Sequence, residues 1–309
     1  MSTSAARASR APLRAFAAAH PGAALAAILL AIAAIAALTA PLIAPQDPFD
    51  LASFDLLDAG LPPIWLEGSD PRFLLGTDAQ GRDLFSAILY GMRISLMVGV
   101  LAVAIQAAIG IPLGLIAGYR GGRVDTLITR AADIQLSLST LMMAIIALAL
   151  FRTALGGEAL GRFAVPLLVL VIGIAEWPYL ARTGRAATQV EASKDYVRAA
   201  RALGASDAAI VRRHILPNIA SPLIVVAATQ VAGAIMAEAA LSFLGLGMPV
   251  TKPSLGTLIR SGYDLMFAGA WWVTVIPGLV LVLLLISVNV LGDGLRDRLD
   301  PRRLVPDHP

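Results

Sequence analysis

Six long apolar runs, almost free of charge and separated by polar loops, leave this chain few ways to fold. They lie at Ala23–Ala44, Ile94–Tyr119, Ile134–Phe151, Ala164–Leu180, Pro222–Gly245 and Val273–Leu291. A helix rises about 1.5 Å per residue, so about 20 residues cross a hydrocarbon layer about 30 Å thick. In lipid every backbone N–H and C=O needs an internal partner, which a helix supplies within one segment. The runs therefore predict an all-α membrane protein with six transmembrane helices. Composition agrees: 58% of the 309 residues are hydrophobic and 15% are charged, where soluble domains carry about 25% charge. Pro112, Pro166, Pro178, Pro222 and Pro277 fall in or beside the runs; membrane helices tolerate proline because neighbours and water satisfy the freed carbonyls.

The first run follows a basic start (Arg7, Arg10, Arg14), as a secretory leader would. Its apolar stretch is longer than the roughly 7–15 residues of a leader core, so it reads as an uncleaved anchor. Basic loop residues set the orientation. With the N-terminus in the cytoplasm, 17 of the 24 basic residues fall inside and 7 outside. This predicts a cytoplasmic tail at 1–22, a first transmembrane helix at 23–44 and an extracytoplasmic loop at 45–93. A five-helix core at 94–292 follows, with a cytoplasmic loop at 184–221 and a cytoplasmic tail at 293–309. The outer loop is acidic and proline-rich in its first part, which predicts irregular structure without a core of its own. Trp271 and Trp272 stand where an interfacial aromatic anchor is expected.

Several chemistries are excluded or disfavoured. The chain has no cysteine, so disulfides, thiolate zinc sites and thiol nucleophiles are ruled out. His20, His214 and His308 show no metal-ligand spacing. No phosphate-binding Gly-rich loop with its lysine occurs, nor a Gly-x-Ser-x-Gly or His-Glu-x-x-His motif. The chain is thus expected to bind no cofactor or metal, to have no catalytic residue, and to need no nucleic acid.

The segment Asp195–Asn218 breaks the apolar pattern. Glu191–Leu203 favours helix, with Asp195 three residues before Arg198. Gly204 suits the position just past a helix end. Ser206 can cap a second helix, with Asp207 in its first turn. Ala208–Ile215 carries that helix, Ile210 and Val211 give it an apolar side, Arg212 and Arg213 stay solvated, and Pro217 is expected to end it. Two readings stand open: a loop whose arginines only obey the topology rule, or a structured surface for a soluble partner. Glu176 and Glu238 lie within apolar runs and are candidates for lining a pathway, since intramembrane carboxylates are functional by default; the alternative for Glu176, near the inner end of its run, is to reach toward the cytoplasm, and for Glu238, near the outer boundary, the favoured alternative is to accept hydrogen bonds from backbone or an arginine. Asp78, Arg82 and Asp83 are expected to form a charged turn ahead of the second run, with Gly76 and Gly81 allowing tight bends.

The same segment resembles the cytoplasmic loop of permease subunits of binding-protein-dependent ATP-binding cassette (ABC) importers. That loop reads Glu-Ala-Ala, three residues, Gly, nine residues, then Ile-x-Leu-Pro. Here Ala199, Ala200, Gly204, Leu216 and Pro217 match, while Arg198 stands in place of Glu and His214 in place of Ile. Asp195 or Glu191 is the nearest acid to replace the missing one. The blocks Leu75–Asp83, Tyr90–Leu96, Glu238–Gly247 and Leu291–Asp297 resemble the "C"-type subunits of the dipeptide, oligopeptide and nickel group.

The resemblance implies a type I ABC importer permease fold with a cytoplasmic coupling helix. It implies a bacterial or archaeal cytoplasmic-membrane protein with both termini inside. The partners it implies are a second homologous permease subunit, two ATPase subunits that carry ATP and magnesium, an extracytoplasmic solute-binding protein, and membrane lipid. The coupling residues it implies are Asp195, Arg198, Ala199, Ala200, Gly204, Ser206, Asp207, Ile210, Arg213, His214, Leu216 and Pro217. The rival reading is an ion-coupled carrier working through Glu176 and Glu238; no internal repeat of the kind such carriers show is visible.

Overall fold

The computed structural model describes residues 21–50 and 54–299, and no side chain at 152, 155–162 or 299. The basic start and residues 300–309 of the expected cytoplasmic tails lie outside the described residues. Among the described residues there is no strand, only an isolated bridge between Thr77 and Asp83. Five helices are long and apolar enough to cross a membrane, and a sixth path is made by Gly122–Ser137 and Thr140–Phe151, bent by 84° at a short break. The all-α, six-span architecture is thus present.

Helix α1 (Pro21–Leu38) is apolar on every side. Ala23, Ala26 and Ala37 are buried, whereas Leu25, Ile28, Ile32 and Ile35 are exposed, as expected of a helix solvated by lipid. Helix α2 (Leu84–Arg120) begins ten residues before the expected Ile94. Asp83 caps it by accepting a hydrogen bond from Ser86 N at 2.8 Å. The added turns, Leu84–Met92, are mostly apolar and pack in the core with α1 and the helices Leu255–Met266 and Trp272–Leu299; Arg93 interrupts the apolar run in the sequence.

Helix α3 (Gly122–Ser137) is followed by α4 (Thr140–Ala192). The expected third span, Ile134–Phe151, straddles the sharp break at Leu138–Ser139, a correction with a clear cause. Helix α3 is amphipathic and turns Asp125 and Asp133 toward Arg185 and Arg182 of α4, so only its end looked apolar in sequence. Helix α4 is not one straight rod. Gln135 Nε2 donates to Met143 Sδ at 3.3 Å and to the Ala175 carbonyl at 3.2 Å. A straight helix would separate residues 143 and 175 by about 48 Å. The segment therefore turns back between Met143 and Ala175: its first leg, Thr140–Phe151, joins α3 in the sixth path, and its second, Phe163–Ala192, holds the expected fourth span.

The second leg of α4 runs parallel to α2, packed through small residues. A Cβ on Gly110 would come within 2.5 Å of the Trp177 carbonyl oxygen, one on Gly114 within 2.5 Å of Ala181 O, and one on Gly118 within 2.6 Å of Arg185 O. Three glycines at four-residue spacing thus let two backbones touch, which is how membrane helices gain attraction without a hydrophobic drive.

Helices α5 (Asp195–Ala202) and α6 (Asp207–Ile210) form the loop expected to be cytoplasmic. Helix α6 does not stop at Pro217. A π-helical turn, Val211–Ile215, carries it into α7 (Leu216–Phe243). Leu216 N–H bonds to Val211 O, five residues back. The wider turn accommodates a proline that an α-helical interior would resist, so the expected stop and the separate start at Pro222 become one rod. Helix α8 (Leu255–Met266), opened by a Ser254–Thr257 capping box, had no counterpart in the sequence reading. Helix α9 (Trp272–Leu299) completes the chain. Trp271 is exposed, but Trp272 is only 7% exposed and belongs to the core shared by α1, α2, α8 and α9, so only one of the pair is free to act as an interfacial anchor.

The outer loop is irregular, with one 3-10 turn at Leu56–Asp58. It is pinned by the buried pair Arg82–Asp78 at 2.6 Å, both at most 1% exposed, and by Arg82 Nη1 donating to Val250 O at 2.8 Å. The charged turn expected there is structural.

Candidate functional site

The Asp195–Asn218 loop is built in layers. Val197, Ile210, Ile215 and Ile219 are buried in one cluster with Leu115 of α2 and Leu180 of α4. The apolar side of each short helix therefore grips the inner ends of the spans. Gly204 takes φ +81°. Its N–H bonds to Arg201 O at 3.0 Å and the Ala205 N–H to Ala200 O at 3.1 Å, a glycine-terminated helix end that turns the chain sharply. Ser206 Oγ then accepts from Ala209 N at 3.3 Å, and Asp207 sits in the first turn of α6. The two short helices with a glycine bend are as expected, except that α4 runs to Ala192 and α5 starts afresh at Asp195.

Two tyrosines missed in the sequence tie this loop down. Tyr119, at the inner end of α2, donates to Asp207 Oδ1 at 2.6 Å and accepts from Arg201 Nη2 at 3.0 Å. The Arg201 guanidinium also lies 5.5 Å from the Tyr119 ring centre. One side chain thus holds both short helices against a membrane span. Tyr196 donates to Glu191 and accepts from Asn218 Nδ2 at 3.2 Å; burial, then the Glu191 carboxylate, pushes its hydroxyl above the usual phenol range, so it stays a donor. Glu191 is buried and also pairs with Lys194 at 2.6 Å. Arg198 meets only Asp195, at 2.8 Å, and the Ser193 carbonyl at 3.3 Å, on the exposed face. Of the two acids considered as replacements, Glu191 is the one bound into the loop.

The face left open carries Leu203, 88% exposed, beside the exposed Ala199. Arg213 and Pro217 are exposed, whereas His214 and Leu216 are half-buried. A nearly bare leucine on the bend between α5 and α6 was not singled out in sequence, since its neighbours made it look like part of an apolar helix face.

Within the membrane the two glutamates differ. Glu238 is fully buried and accepts from Ser95 Oγ at 2.8 Å and Ser242 Oγ at 2.6 Å. Ser242 Oγ in turn accepts from Met248 N at 3.0 Å. This knot joins α2, α7 and the turn beyond α7. Glu176 instead meets Gln106 Nε2 at 3.5 Å and Gln230 Nε2 at 3.3 Å, and the two amides are joined at 3.3 Å. Gln106 and Gln230 are each the lone amide of their apolar run, a signal that could have found them. No group of His, Cys, Asp or Glu able to hold a metal occurs among the described residues.

Residues 110–305 match the family described as binding-protein-dependent transport system inner membrane component. The chain is 40% identical over 281 residues to the dipeptide transport system permease protein DppC of Haemophilus influenzae, covering 91% of this chain and 90% of that protein. It is 42% identical over 266 residues to the di/tripeptide transport system permease protein DppC of Pseudomonas aeruginosa, covering 86% and 83%. Among solved structures it is similar to a chain of the MetNI methionine ABC transporter in an inward-facing conformation, with a TM-score of 0.56 and 19% identity over 69% of this chain and 96% of that one.

Proposed function

Since the chain belongs to the family of binding-protein-dependent transport system inner membrane components, and so is a multi-pass permease subunit of an ABC importer and not itself an enzyme, we propose that it forms half of a translocation pathway for peptides or similar small solutes. The names of its relatives support the peptide cargo. In this reading a second homologous permease completes the pathway, and two ATPase subunits beneath it bind ATP and magnesium. A solute-binding protein delivers cargo at the outer loop. The membrane is the cytoplasmic membrane, with both termini inside and residues 45–93 outside.

The coupling site is the cytoplasmic loop. Asp195, Arg198, Ala199, Ala200, Gly204, Ser206, Asp207, Ile210, Arg213, His214, Leu216 and Pro217 belong to it, together with Leu203, Tyr119 and Glu191. The observation that carries this role is the contrast within the loop. Val197, Ile210 and Ile215 are at most 1% exposed and lock it to α2 and α4, while Leu203 on its outer side is 88% exposed. A rigid bend that displays a bare leucine has the form of a docking knob: closure of the ATPases presses on it, and the lock passes the motion to the spans. Arg198 and Asp195, paired on the same open face, add polar contacts at its rim. Glu176 lines the pathway, while Glu238 braces the outer end of α7.

The test is Leu203→Asp in the assembled importer. A surface change of this kind alters folding by about 0.5 kcal/mol or less, so membrane insertion should be unchanged. Co-purification of the ATPase subunits in mild detergent should drop severalfold. Full retention of those subunits with native uptake would refute the docking role.

A further inference from the structure

Glu176, Gln106 and Gln230 lie well inside the second leg of α4, α2 and α7. They meet where these three membrane helices pack together. Gln106 is fully buried, and its carbonyl oxygen accepts from Gln230 at 3.3 Å, which aims both amide nitrogens at one carboxylate oxygen, Glu176 Oε2. The other oxygen, Oε1, has no hydrogen-bond partner among the described residues, and no arginine or lysine among them pairs with Glu176. A carboxylate at this depth is costly unless a positive charge answers it, and two neutral amides orient it without neutralising it. Glu238 makes the contrast: it is wholly enclosed by hydroxyls. Glu176 is only half-buried, and the neighbouring Gly233 is exposed. A Cβ placed on Gly233 would meet nothing within 4 Å except Glu176 Oε2, at 4.0 Å. The carboxylate therefore has an open approach on the Gly233 side.

Resting on the peptide-importer reading above, we infer that Glu176, held by Gln106 and Gln230, is a midway subsite for the ammonium group of cargo passing through the permease. Every peptide with a free N-terminus carries such a cation. A site partway along the spans is one that both faces of the membrane can reach in turn. The same charge could come from a basic side chain of the second permease subunit, and the test separates the two sources.

The importer is reconstituted in vesicles with its partner permease, ATPases and binding protein, and uptake of dialanine is measured per ATP hydrolysed. Glu176→Gln should lower that ratio by about tenfold or more, and Glu176→Asp should recover part of it. An unchanged ratio in Glu176→Gln overturns the inference. So does a variant in which the two permeases come apart, or in which uptake and ATP hydrolysis fall in step, because the cation then sits on the partner subunit. A second measurement needs no transport. The chain has no cysteine, so Gly233→Cys introduces a single thiol beside the carboxylate. Dialanine should slow its alkylation severalfold in the detergent-solubilised complex while N-acetyl-dialanine does not; equal rates overturn the inference. If the native complex takes up no dialanine, the peptide reading itself fails; if it does and Glu176→Gln behaves as native, the subsite alone fails.

Discussion

At Gly204 a single dihedral decides how the loop is shaped. Its φ of +81° is open to glycine and strained for a β-branched residue, yet a Cβ there would meet nothing within 4 Å. Replacement by valine therefore acts through backbone strain alone, costing about 1–3 kcal/mol. The chain can relieve that strain by letting α5 and α6 swing out of line. Gly204→Val should thus insert normally but transport less cargo per ATP hydrolysed, by severalfold in vesicles; native coupling would show that the bend is dispensable. Tyr119 works at the same scale. Its hydroxyl bridges Asp207 and Arg201, so the two helices that Gly204 separates are reunited on the end of α2.

At the scale of elements, α2 and the second leg of α4 are joined by Gly110, Gly114 and Gly118. A side chain on Gly114 would strike the Ala181 carbonyl oxygen at 2.5 Å, a backbone atom that cannot rotate away. Gly114→Leu should lower the thermal midpoint of the solubilised protein, with overpacking worth about 1–3 kcal/mol, while Gly278→Ala, inside α9 with nothing within 4 Å, should leave it unmoved or raise it slightly. Equal midpoints in the two variants would mean that these helices are not in close contact. Span number, the two helices of the cytoplasmic loop, the Ser206 cap and the Gly204 bend were all legible in sequence, because each follows from local chemistry or from runs long enough to cross lipid. The rest depended on contacts distant in sequence. Helix α3 hid its full extent because Asp125 and Asp133 find Arg185 and Arg182 only after folding. Pro217 looked like a stop because a π-turn leaves no mark in composition. Tyr119 drew no notice because its partner Asp207 lies 88 residues away.

For the whole molecule, the orientation of every element follows from one assignment, the side on which Leu203 sits. Because the chain lacks cysteine, single thiols report it cleanly. Leu203→Cys, 88% exposed, should react only with reagents that cross the membrane, and Leu57→Cys, 89% exposed in the outer loop, with reagents that do not. The opposite labelling would invert the molecule and remove the docking role.

Helix α2 has 37 residues, a length of about 55 Å. Seamed to its neighbour by bare backbone contact and clamped to the Asp195–Asn218 bend at Tyr119, with Pro112 in its interior, it ties that bend to the far end of the bundle. A rigid tilt of about 10° about the Tyr119 end would carry the other tip through roughly 10 Å for that length, so a small displacement at the bend would be amplified at the opposite face.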